Sequence, residues 1–204
     1  MKDKAIIFDL DGVLIDAAIW HYDALNSALT TMGYEPIDYQ EHLKSFNGLP
    51  TRVKLETLGI AKEQWGEIIA LKQHAFDSEV EWSCKPDPEK LDLIFQLSKK
   101  YVLACCSNAT RRSVFKMLGN AALLPYFDFI VGNDDGFKPK PDPEMYDATI
   151  KKTYDMGAEN WKTHIIEDSK VGMTAALNNH WNAQVYNLQY DEVTVKKFKD
   201  LGLL

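Results

Sequence analysis

The segment Lys4-Ala5-Ile6-Ile7-Phe8-Asp9-Leu10-Asp11-Gly12-Val13-Leu14 constrains this chain most, because an apolar run ends abruptly in two carboxylates and a glycine. So short and continuous a run reads as a strand buried on both faces, the signature of a parallel sheet. Asp9 and Asp11 are two residues apart, so in extended backbone they project to the same side. They would converge beyond the carboxyl end of the strand, where open α/β sheets bind ligands. Gly12 follows as the residue able to take a positive φ and turn the chain sharply out of the sheet. A solvated Asp-Gly turn would carry the same tripeptide, so the reading depends on what the other strand ends hold.

Further apolar, β-rich runs occur at Tyr101 to Cys106, Phe127 to Val131, His164 to Ile166 and Ala183 to Tyr186, each followed by polar or glycine-rich residues. Helical patterns mostly come next, and this alternation predicts an α/β fold, a doubly wound parallel sheet with right-handed crossovers. Asp9 and Tyr101 stand 92 positions apart, whereas a βαβ unit needs only about 30 residues. A helical insert is expected there. Ile19, Trp20, Ala24, Leu25, Ala28, Leu29 and Met32 form one helical stripe, ended by Gly33. Trp65, Ile68, Ile69, Ala75, Phe76 and Val80 form another. The expected division is an α/β core of residues 1–15 and 85–204 with a helical cap of residues 16–84. Lys85-Pro86-Asp87-Pro88 is the return segment, and the last residues are expected to form a surface helix.

With 46% hydrophobic residues in 204, the chain can bury a sizeable core. Thirty acidic residues against 23 basic leave a net charge of -7 and no basic block, which argues against nucleic acid as a partner. An anionic substrate would meet a repulsive overall field, so phosphate chemistry here needs local cations or a metal. No signal-like h-region and no membrane-spanning stretch is present in the sequence, and a cytoplasmic location is expected. Cys84, Cys105 and Cys106 read as buried thiols rather than a disulfide. The oligomeric state is not readable.

Three later strand ends supply partners for the two carboxylates. Ser107-Asn108-Ala109-Thr110 offers a hydroxyl and backbone N–H groups opening a helix, a cradle for phosphate oxygens, although ordinary capping by Ser107 or Thr110 is the simpler use. Lys138-Pro139-Lys140-Pro141-Asp142 carries two lysines, either of which could neutralise charge on a phosphoryl group. Glu167-Asp168-Ser169 adds two more acids, oxygen ligands of a kind that suits Mg²⁺. Without a cation, so many converging acids would repel one another.

With these segments in this order, the chain resembles the haloacid dehalogenase-like superfamily, in particular its phosphatases and β-phosphoglucomutases with a helical cap after the first strand. The resemblance implies that Asp9 is a nucleophile forming an aspartyl-phosphate and that Asp11 is general acid and then base. That acid role wants a carboxyl protonated near neutral pH, which a neighbouring carboxylate favours and Mg²⁺ opposes. Ser107 and the Asn108 N–H would grip the phosphoryl group. Mg²⁺ would be held by Asp9, the main-chain carbonyl of Asp11 and Asp168, with Glu167 ligating directly or through water. The family pattern places its lysine before the first proline of Pro-x-Pro-Asp, which selects Lys138 over Lys140. Relatives that act on haloacids or phosphonates lack an acid at the position of Asp11, so its presence points to phosphate monoesters.

In the cap, Arg52 falls in the first turn of a helix beginning near Pro50, where the macrodipole disfavours a cation. Lys72 sits in the apolar register between Ile69 and Phe76, with snorkelling as its simpler explanation. Matching positions in the β-phosphoglucomutase-like relatives contact the distal part of the substrate, and His21 also matches a frequent family position. The expected function is a Mg²⁺-dependent phosphatase of a small phosphorylated metabolite, a sugar phosphate among the options. A mutase is the alternative enzyme; a receiver-like phosphoacceptor or a silent binding module is the alternative class.

Overall fold

The computed structural model describes residues 2–204. Five strands form one sheet in the order β3-β2-β1-β4-β5: β1 (Lys4–Phe8), β2 (Tyr101–Cys106), β3 (Phe129–Val131), β4 (Thr163–Glu167) and β5 (Gln184–Asn187). Every pairing is parallel. The chain builds outward from β1 through β2 to β3, then crosses to the other side of β1 for β4 and β5. Strand order therefore reverses at β1, and its carboxyl end is the switch point where such sheets bind ligands.

Alternation along β1 divides the core. Ile6 and Phe8 join Leu93, Ile94, Val114, Met117 and Phe198 on one face, which brings in α5 (Pro88–Ser98), α6 (Arg111–Asn120) and α9 (Val195–Asp200). Ala5 and Ile7 join Met145, Ile150 and Ala175 on the other, under α7 (Glu144–Asp155) and α8 (Lys170–Leu177). Both faces of β1 and β2 are covered, as their unbroken apolar sequences require. Asp87 starts α5 by accepting from the Glu89 and Lys90 N–H groups, with Pro88 in the first turn where its missing N–H costs nothing. The three cysteines are buried thiols. The final helix is the expected surface element, with Lys196, Lys199 and Asp200 exposed, but it is anchored on its inner side by Phe198, which is fully buried and stacks on Phe8 at 6.1 Å.

Between β1 and β2 lie α1 (Ala18–Thr31), a short α2 (Tyr39–Glu41) running into a π-helical turn at His42–Phe46, α3 (Thr51–Thr57) and α4 (Lys62–Ser83). Leu25, Leu29, Ile37, Phe46, Leu55 and Ile68 form an apolar cluster of their own among these helices. Ala24, Phe76 and Val80 instead join the cluster on the sheet face, which ties α1 and α4 to the core. Among the described residues no helix is long and apolar enough to cross a membrane.

Candidate active site

Strand register brings the site together. Phe8 lies opposite Cys105 on β2 and Ile166 on β4, so the next residues of the three strands emerge along one edge. The Asp9 N–H donates to the Ile166 carbonyl at 2.9 Å and the Ser107 N–H to the Val131 carbonyl at 3.0 Å, carrying the ladder one step past the strands. Gly12 turns the chain away at φ 84°. A Cβ at that position would collide with the Asp168 carboxylate, and one at Gly172 with Glu167. Both glycines therefore permit close approach of backbone and acid.

Lys140 is the charge at the centre of this edge. Its Nζ lies 2.6 Å from Asp9 Oδ1, 2.8 Å from Glu167 Oε2 and 2.8 Å from the Cys106 carbonyl oxygen. The Tyr146 hydroxyl accepts from the same ammonium at 2.8 Å and donates to Glu167 Oε2 at 2.7 Å. The other Glu167 oxygen accepts from the Asp168 and Ser169 N–H groups and the Ser169 hydroxyl. Burial opposes the lysine's charge, but Asp9 and Glu167 outweigh it and push its pKa well above the ordinary value. Burial would raise Glu167, and Lys140 holds it below its ordinary range instead. Asp9 and Asp168 go the other way: burial and the Glu167 charge push Asp9 well up and Asp168 to about 8. The cluster holds more negative charge than one lysine answers.

Asp11 faces the helical side. His21 Nε2 lies 3.0 Å from Asp11 Oδ1, His21 Nδ1 lies 3.0 Å from Lys72 Nζ, and the imidazole stacks on Phe76 at 4.1 Å. A lysine ammonium only donates, so Nδ1 accepts and the Nε2–H donates to Asp11. Those partners assign a neutral His21 between an anion and a cation, and burial together with Lys72 lowers its pKa. Burial raises Asp11, but His21, Lys72 and Lys54 outweigh it and the net direction is down. The carboxyl protonated near neutral pH that the acid role wants is thus not what this arrangement holds. The cations responsible come from the insert, which a strand-end argument does not contain.

A cleft of about 540 Å³ opens over these groups, and Asp9, Asp11, His21, Arg52, Lys72, Ser107, Asn108, Lys140 and Asp168 all line it. Glu167 lies beneath, fully buried. Lys138 is outside. Its side chain is 72% exposed and faces Asp142 and Glu144 at 3.7 and 4.0 Å. The expectation for Lys138 is corrected in favour of Lys140. The cause is a repeat: Lys138-Pro139-Lys140-Pro141-Asp142 and Lys140-Pro141-Asp142-Pro143-Glu144 both read Lys-Pro-x-Pro-acid, two residues out of register.

Sequence reasoning also missed two other contributors, and it named Asn108 for its N–H but not for its side chain. Tyr146 and Lys54 carry no local motif. The Asn108 side chain accepts from the Lys140 N–H at 2.9 Å and donates to the Lys140 carbonyl at 3.0 Å. It also donates to the Gly48 carbonyl of the insert at 2.8 Å. The local use of Ser107 is present too, its Oγ accepting from the Ala109 N–H at 3.0 Å, while Thr110 caps α6.

A parallel sheet whose switch point carries two acids on a glycine turn, beside a buried lysine and further acids, defines an α/β enzyme with a carboxylate centre. The chain belongs to the haloacid dehalogenase-like hydrolase family, whose profile matches residues 6–185, and is an enzyme of its phosphatase branch. It is 30% identical over 210 residues to a phosphoglycolate phosphatase of Aquifex aeolicus, covering 97% of this chain and 94% of the relative. A phosphorylated carbohydrates phosphatase of Thermotoga maritima is 28% identical over 177 residues, 85% of this chain and 80% of that one. In fold it resembles a β-phosphoglucomutase from Clostridium difficile, with a TM-score of 0.77 at 22% identity, covering 97% of this chain and 88% of that one.

Proposed function

We propose that this enzyme hydrolyses small phosphomonoesters through an aspartyl-phosphate on Asp9, with Mg²⁺ as its metal and the helices α1 to α4 as a cap over the strand ends. The observation that carries this reading is the Asp9 carboxylate held against Lys140 at 2.6 Å, with Asp11 beside it on the Gly12 turn and the cleft open above both.

The chemistry of the donors fits a hard divalent cation. Asp9, Glu167 and Asp168 each offer an atom within 4.8 Å of the others, and Asp168 Oδ1 is buried without a hydrogen-bond partner. Asp9, the Asp11 carbonyl and Asp168 would hold the ion, while Glu167, taken up by Lys140, Tyr146 and Ser169, stands behind them. Bound there, Mg²⁺ would supply positive charge against the phosphoryl oxygens.

Asp9 attacks phosphorus, splitting one difficult hydrolysis into two displacements. Lys140 orients that carboxylate and offsets charge on the transferring group. The Ser107 hydroxyl and the Asn108 N–H hold phosphoryl oxygens. As it stands, ionised Asp11 is set to take a proton from the attacking water. The first displacement needs the opposite, a proton on Asp11, and an anion engaging Lys72 would relax the field that lowers its pKa.

Purified protein with Mg²⁺ should release phosphate from members of a phosphomonoester panel. Borohydride quenching during turnover should convert Asp9 to homoserine, read by mass spectrometry. Turnover without that mark on Asp9 would exclude the covalent route. Transfer of the phosphate to a second sugar hydroxyl instead of water would make the enzyme a phosphotransferase.

A further inference from the structure

The Asn108 carboxamide is shared between the strand ends and the insert. Its Oδ1 accepts from the Lys140 N–H at 2.9 Å, and its Nδ2 donates to the Lys140 carbonyl at 3.0 Å and to the Gly48 carbonyl at 2.8 Å. These partners fix which way round the amide stands: an N–H can only donate and a carbonyl can only accept, so the reverse orientation would satisfy none of them. Both N–H donors of the side chain are thereby used, one on the core and one on the insert. The residues so joined come from three separate segments. Gly48 lies between the π-helical turn and α3, Asn108 follows β2, and Lys140 belongs to the loop between β3 and α7.

What the carboxamide grips is the main chain of the residue whose ammonium meets Asp9 and Glu167. Pro139 and Pro141 flank that residue and carry no N–H, so Lys140 has the only main-chain donor of the tripeptide, and Asn108 takes it. The insert end of the connection is close-fitted as well. Gly48 stands at φ 76°, and a Cβ there would come within 3.3 Å of Ser169 Oγ, the hydroxyl that donates to Glu167. Only a residue without a side chain seats the insert loop this closely on the segments after β2 and β4.

We propose that Asn108 is, through its side chain, a positioning residue that makes the placement of Lys140 depend on the seating of the insert at Gly48. With the insert seated, all three hydrogen bonds form and the Lys140 ammonium is held against Asp9. With the insert lifted, one N–H of the carboxamide turns to water, and the grip on the Lys140 main chain loses the contact that fixes its orientation. The lysine is then fully placed only when the cleft is covered, so the nucleophile is not set while bulk water has access to it. This inference rests on the reading of α1 to α4 as a cap and of Lys140 as the lysine of a phosphatase.

The test perturbs the two ends separately. Gly48→Val acts on the insert loop, where a β-branched side chain at positive φ and against Ser169 should unseat it. Hydrogen exchange of the Lys140 N–H, read by NMR, should then speed up at least about tenfold. Unchanged exchange at Lys140 in Gly48→Val overturns the proposal. With p-nitrophenyl phosphate and Mg²⁺, Gly48→Val and Asn108→Ala should each lower kcat about 10- to 100-fold while KM stays within about threefold, because the centre is misplaced and the Asn108 N–H is kept. The double variant should fall within about twofold of the poorer single one, since both changes break one connection. Losses that multiply would mean that Gly48 reaches the centre by another route, and they overturn the proposal. Should Asn108→Ala fail to fold, exchange at Lys140 in Gly48→Val decides alone. A wild-type enzyme that hydrolyses no phosphomonoester would bring down the phosphatase reading, while the exchange measurement still decides whether the insert loop holds Lys140.

Discussion

At the strand ends, Lys140 is enclosed by Asp9, Glu167, Tyr146 and a main-chain carbonyl. Across the cleft, Lys54 lines the open space with no hydrogen bond or ion pair to a described residue, and Lys72 has a neutral His21 at 3.0 Å and the face of Phe76 at 4.7 Å. Both walls bury cations, yet one pairs its lysine directly with two buried acids while the other meets its lysines with an imidazole, an aromatic face and the open cleft. A charge answered internally is held in place before the substrate comes, which suits groups that must meet a developing transition state. The first wall is a sheet edge with fixed register; the second is built from helices packed over it.

Predictions that separate the two walls run from abolished turnover to no change. Asp9→Asn should lower kcat by at least about 10⁴-fold, because the amide is a poor nucleophile. Circular dichroism should show the fold retained, and near-normal rates in excess Mg²⁺ would break the assignment. Lys140→Met should reduce kcat by about 10³-fold and destabilise the fold by about 3–5 kcal/mol, since it leaves two buried acids without their cation. Chemical denaturation checks the second figure, and a stable, active variant would mean that the strand-end wall is not preset by this pair.

Asp11→Asn should cost about 10²–10³-fold in kcat/KM, more for alkyl than for aryl phosphates. An equal loss for both would remove Asp11 from the leaving-group step.

On the helical wall the stability effect should have the opposite sign. The Lys54 pKa falls from 10.5 to about 7 on folding, so between those values the unfolded chain binds the extra proton and stability rises with pH. Below about pH 7 the charge is present in both states and its burial is a full penalty. Lys54→Met should therefore raise stability at pH 6 by at most about 5 kcal/mol, a gain that fades as pH climbs toward 10. Thermal melts at the two pH values decide it, and a destabilised Lys54→Met at pH 6 would show that Lys54 is satisfied after all. Lys138→Ala should leave both kcat and Tm within error, its side chain being 72% exposed; a large loss of activity would return the lysine role to Lys138.

Legibility followed the same divide. Asp9, Asp11, Ser107 and Asp168 each follow directly on an apolar strand, so local pattern places them, and the structure brings all four to one cleft. Lys140 was hidden by the overlapping Lys-Pro repeat, in which local sequence allows two registers. Only the depth of the β3–α7 loop chooses between them: one lysine is 2% exposed and the other largely in solvent. Phe198 was overlooked because a single aromatic in a six-residue helix among lysines carries little amphipathic signal, although it packs on Phe8.

By itself, then, the chain's order of residues determined the parallel sheet, the position of the helical insert and the acids at the strand ends. These depend on short-range rules: apolar runs must be buried, and polar residues that follow a buried strand must emerge at its end. Tertiary structure alone decided which lysine meets Asp9, that His21 links Asp11 to Lys72, and that Lys54 goes unpaired. Those facts are distances between residues 10 to 131 positions apart. A charge's partner is set by where the packed helices bring it, and no local pattern in the chain records that distance.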